Sequence, residues 1–112
     1  GDLDIVTYPV NGPLRVFTNT SSARGIVVSL SDSIGNTAGI GARLSLHDES
    51  GLIQMREIQL GGGFMSFDAP RIHFGATEHQ MGPLIITWSD GEQTEIAGPF
   101  RPGMHYTVAR ER

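Results

Sequence analysis

His73 and Trp88 are the residues best suited by type to hold a ligand, because a tryptophan offers a flat apolar face to a sugar or peptide and a histidine a polar edge. The competing assignment is that Trp88 ends a core strand and His73 is a satisfied strand residue, since large aromatics near strand ends usually pack. Arg43 and Arg56 could clamp a carboxylate bidentately. Equally, they could bridge strands to Asp and Glu neighbours, which an acidic chain offers in number. Glu78 and His79, with His73 nearby, have the residue types of an acid/base pair. No H-E-x-x-H or G-x-S-x-G arrangement surrounds them, so the segment reads as a solvated connection. Gly61-Gly62-Gly63 lacks the lysine and the following helix that a phosphate loop requires, and is expected to be a bulge or tight crossover. No enzyme and no cofactor are expected.

Composition narrows the chemistry further. The eight basic residues are all arginine, set against twelve acidic residues for a formal net charge of −4, and cysteine is absent. Schiff-base chemistry and thiol chemistry are thereby excluded, and a mildly acidic chain without a basic run makes a poor nucleic-acid binder. The apolar runs are far shorter than the roughly 20 residues of a membrane-spanning helix. With 112 residues the chain fits one domain, which can bury roughly two-thirds of the surface its unfolded form exposes. Opening at Gly1 without a methionine, it reads as an excised or processed fragment.

The elements that must position these residues are strands. Short apolar runs are separated by Gly, Pro, Asn, Asp and Ser, and no window sustains an amphipathic helix. Strands are expected over residues 3–8, 14–18, 25–30, 42–47, 52–60, 71–74, 84–88, 93–96 and 105–109. Alternation places Ile26, Val28 and Leu30 in the core, with Ala42, Leu44 and Leu46 and with Leu84, Ile86 and Trp88. Val27, Ser29 and Ser31 then face outward, as do Arg43, Ser45 and His47. Asp48-Glu49-Ser50-Gly51 and Asp90-Gly91 carry hairpin chemistry, so neighbouring strands are expected to run antiparallel. The fold class is all-β, an antiparallel sandwich or sandwich-like barrel of about eight short strands. A polar stretch over residues 19–24 divides residues 1–20 from a β-domain over residues 21–112.

From about Gly35 onward the chain resembles the ASPIC/UnbV domain, found at the C-terminal end of cartilage acidic protein and of many bacterial secreted proteins. Asn36, Gly39, Ile40, Gly41, Ala42 and Arg43 are similar to the family's N-x-x-G-I-G-A-R opening. Gln54, Arg56, Gly63, Phe64 and Ser66 match its central stretch, His73-Phe74-Gly75 a strand end, and Trp88 with Gly91 a W-x-x-G turn. The chain departs from the family pattern at Gly75-Ala76-Thr77 and at Ser89. Residues 1–20 resemble the tail of an FG-GAP/VCBS propeller repeat. That resemblance implies a calcium loop of which Gly1 would be the glycine and Asp4 the last carboxylate, with too few ligands to hold a metal.

What the resemblance implies is a non-catalytic binding or adhesion module of a secreted or cell-surface protein. Glycan is the leading ligand class, with an extracellular protein as another partner, and Arg43, Arg56, His73 and Trp88 are the candidate ligand-binding residues. The alternative is a structural accessory domain packed on a calcium-binding β-propeller. An unpaired edge among the opening strands invites a homodimer by strand exchange. Asn19-Thr20-Ser21 is a glycosylation sequon, which matters where the source glycosylates.

Overall fold

The computed structural model describes residues 3–112. Among them are nine strands and no helix: β1 (Ile5–Thr7), β2 (Arg15–Phe17), β3 (Ile26–Asp32), β4 (Arg43–Asp48), β5 (Ile53–Glu57), β6 (Arg71–Phe74), β7 (Met81–Thr87), β8 (Gln93–Ile96) and β9 (His105–Arg110). They form a hairpin β1-β2, a three-stranded sheet in the order β6-β3-β9, and a four-stranded sheet in the order β5-β4-β7-β8.

The period-2 pattern places one face of each larger sheet inward. Ile26, Val28, Leu30, Phe74 and Val108 from one sheet meet Leu44, Leu46, Leu84 and Ile86 from the other in a single core, joined by Ala42, Ile58, Met81, Trp88 and Phe100. This is the sandwich that alternation predicts, and all nine core candidates are buried. Val27 departs from the expectation. It sits on the outward side of β3, yet only 8% of its surface is exposed. Its cross-strand neighbours on that side are His73 of β6 and His105 of β9, two bulky rings that flank a short side chain.

Pairing is antiparallel throughout except between β3 and β9, which run parallel from Val27↔His105 to Asp32↔Arg110. Hairpin signals report only on strands adjacent in sequence, whereas β9 follows β8 and crosses to the other layer. The two expected turns form. Asp48 Oδ1 accepts hydrogen bonds from the Ser50 and Leu52 amides and the Ser50 hydroxyl. Asp90 Oδ1 accepts one from the Glu92 amide. β7 begins three residues before the expected strand, at Met81, because Gly82 and Pro83 are drawn into it where turn chemistry was expected. The Gly61-Gly62-Gly63 run lies in the β5–β6 loop, closed by an isolated bridge between Gly63 and Ser66; it is not a strand crossover.

β1 and β2 pair only with each other, from Ile5↔Phe17 to Thr7↔Arg15. All six of their residues are exposed. Gly1, assigned to the calcium loop, lies outside the described residues. Asp4 is occupied in closing the hairpin, its Oδ1 accepting the Asn19 amide at 2.7 Å. Among the described residues no group of three metal-ligating side chains forms.

Candidate functional site

The open side of the sandwich lies between the edge strands β5 and β6. Alternation explains the opening. Ile53 and Met55 point outward, leaving Gln54 and Arg56 on the inner side, opposite the buried Leu46 and Leu44. Polar side chains at those two positions cannot close an apolar seam, so each makes a specific contact across it. The Gln54 amide pairs with the backbone of Gly75, donating through Nε2 to the carbonyl at 3.1 Å and accepting the amide through Oε1 at 3.0 Å. Arg56 lays its guanidinium over the Phe74 ring, 5.8 Å from the centroid, and donates from Nη1 to the Met55 carbonyl at 2.8 Å.

The result is a cleft of about 420 Å³ lined by Leu3, Arg56, Asp68, Ala69, Arg71, Ile72 and His73. It continues past Leu3 and His73 into a second hollow of about 350 Å³ that reaches Asn19, Ser21 and Gly75. The His73 imidazole has a pKa below the ordinary histidine value, pushed down first by partial burial and then by the nearby charges of Arg71 and His105. At neutral pH it is therefore an uncharged hydrogen-bonding group beside two arginines.

Of the four candidate ligand-binding residues, the structure brings Arg56 and His73 together in this cleft. Arg43 lies in an adjoining depression of about 200 Å³ that it shares with Met55, Arg56 and Glu57. Trp88 is elsewhere, 2% exposed within the core, as the competing core-strand assignment has it, and no platform with His73 forms. Its indole Nε1 donates to Thr94 Oγ1 at 2.9 Å, which satisfies the polar atom that burial would otherwise strand. Glu78 and His79 do not assemble with His73; His79 Nδ1 lies 3.7 Å from Glu49 at the surface. Arg71 is the cleft residue that sequence reading missed. Its position two residues before His73 on one strand places both on the same side, which was the available signal.

The motif residues outside the cleft serve the backbone. Asn36 spans its loop, accepting the Ile40 amide at 2.9 Å and donating to the Ile40 carbonyl at 2.6 Å. Gly39 has φ +68 and packs against Leu30, where a Cβ would lie 2.8 Å from Cδ1. A second polar group was not anticipated at all. Arg110 and Arg112 converge on the buried carboxylate of Asp32 and on Asp90, and Arg110 also reaches Glu92. Hydrogen bonding from Arg110 is the largest cause holding Asp32 at about 2, reinforced by Arg112 and opposed by burial. Asp90 is lowered in the same way, and the Arg110 guanidinium is raised by the same partners. This cluster is closed on itself and covers Trp88.

A family model described as ASPIC and UnbV matches residues 32–109, which include the Asn36 loop, the whole four-stranded layer and the cleft residues Arg56, Arg71 and His73. No match is found among curated proteins.

Proposed function

The chain belongs to the ASPIC and UnbV family, and we propose that it is a non-catalytic accessory module of a secreted or cell-surface protein, docked onto a neighbouring domain through the β1-β2 hairpin. One observation carries this reading. Leu3, Ile5, Val6, Tyr8, Val16 and Phe17 are more than half exposed on an isolated two-stranded ribbon, so both of its faces are apolar and uncovered. Such a ribbon is marginal in water without a surface to pack on. The likeness of residues 1–20 to a propeller-repeat tail makes a β-propeller the fitting neighbour. The test is hydrogen exchange at the β1 and β2 amides in this chain alone and in a longer chain that carries a β-propeller ahead of it. Exchange slowed at least about tenfold in the longer chain supports docking. Equal exchange in both overturns it.

A second reading is carried by the cleft between β5 and β6. Arg56 and His73 meet there beside the apolar side chains of Leu3 and Ile72, the mixture of polar and apolar lining that a saccharide needs. Saccharide binding is tested with a glycan array probed by the purified chain. Absence of any bound glycan removes this reading and leaves the docking role standing.

A further inference from the structure

Two pairs of arginines in this protein differ in how they are used. Arg110 and Arg112 are engaged with Asp32, Asp90 and Glu92. Arg56 and Arg71 line the β5–β6 cleft, and among the described residues neither forms an ion pair, although Asp68 also lines the cleft. Arg56 is oriented in advance, one face on Phe74 and one nitrogen bound to the Met55 carbonyl, so little side-chain freedom remains to be lost when an anion arrives. His73 adds a hydrogen-bonding edge and Leu3, Ala69 and Ile72 an apolar wall.

We propose that the β5–β6 cleft recognises the carboxylate of an acidic saccharide, a hexuronate, with Arg56 and Arg71 on the carboxylate, His73 on a ring hydroxyl and the apolar wall against the sugar face. This rests on the saccharide reading and gives it a chemical class. A guanidinium fork matches the spacing of carboxylate oxygens, and charge-assisted hydrogen bonds are roughly twice as strong as neutral ones. The net charge of −4 does not oppose this, because the field of distant carboxylates is largely screened beyond about 8 Å at physiological ionic strength while the forks act at contact; Asp68, which lines the cleft itself, offsets part of the charge that its two arginines offer.

The experiment is an NMR titration of the whole chain with glucuronate, glucose, acetate and N-acetylglucosamine 6-sulfate, following the Nε–Hε signals of Arg56 and Arg71 and the ring of His73. Glucuronate is expected to shift all three and glucose none. Arg56→Gln and Arg71→Gln should each weaken glucuronate binding about tenfold. Arg101→Gln, which removes the same charge away from the cleft, should leave it unchanged. Unaltered melting temperatures show that the variants remain folded. Glucose binding as well as glucuronate overturns the acidic class but keeps the saccharide reading. Acetate binding as tightly as glucuronate keeps the anion site but overturns the saccharide. Preference for the sulfated sugar overturns the carboxylate assignment. No shift with any of the four overturns both the site and the saccharide reading.

Discussion

The central guanidinium carbon of Arg110 sits over the indole of Trp88, 4.2 Å from the ring centroid, while its two terminal nitrogens bond to Asp32, Asp90 and Glu92. A planar cation is needed to do both at once, since a lysine ammonium can be placed over the ring but cannot fork between carboxylates. Arg110→Lys and Arg110→Gln are therefore expected to lower the melting temperature and to move Trp88 emission to longer wavelength as water reaches the ring. Unchanged emission in both would mean that the arginine does not shield the indole.

Acid stability should follow the same cluster. Asp32 titrates near 2 in the folded protein against an ordinary 3.8, so the unfolded state binds its proton first as pH falls. The stabilisation is complete above pH 3.8 and is lost progressively as pH drops through about 2. Melting temperature measured across that window should fall steeply. Asp32→Asn should be less stable at neutral pH and show a shallower acid slope; an identical slope would assign acid sensitivity to other groups.

Gln54 holds the two layers together at their open edge through its paired bonds to Gly75. Because this seam is partly exposed to water, Gln54→Ala should cost about 1 kcal/mol, at the modest end for a side-chain hydrogen-bond pair. Gln54→Glu keeps the acceptor but loses the donor and should be as damaging or worse. Chemical denaturation measures both.

Two glycines should respond differently to alanine. A Cβ at Gly25 would fall 1.8 Å from the Phe74 carbonyl oxygen, inside the β3–β6 contact, whereas a Cβ at Gly35 meets nothing within 4 Å and suffers only from its φ of +69. Gly25→Ala should cost on the order of 3 kcal/mol or more, a severe steric case. Gly35→Ala should cost about 1 kcal/mol, the penalty of a left-handed backbone. Equal costs would place the two backbones at Gly25 farther apart than the structure has them.

The sheets were legible because their signal is local. Leu44 and Leu46 alternate with Arg43, Ser45 and His47, and that period alone assigns their face. The parallel partnership of β3 with β9 was not legible, since nothing near Val27 or His105 in sequence refers to the other. The cleft was half legible. Arg56 and His73 stood out as residue types, but their meeting depends on an edge strand carrying polar residues inward at Gln54 and Arg56. Trp88 has the residue type of a ligand platform, yet alternation with Leu84 and Ile86 already placed it in the core; what the sequence did not show was its cover, the Arg110 guanidinium over the ring and the Thr94 hydroxyl on the indole nitrogen.

The parallel pairing also orders the assembly of the molecule in time. β4, β5, β7 and β8 form one sheet through neighbours drawn from a single stretch of chain, whereas β3 must wait for β9, with Asp32 and Arg110 standing 78 positions apart. Contacts of that span close late. A chain growing from a ribosome can therefore lay down the four-stranded layer and the β3–β6 pair while β3 still lacks its parallel partner, and that flank of β3 stays open to water or to a chaperone until the final strand is delivered.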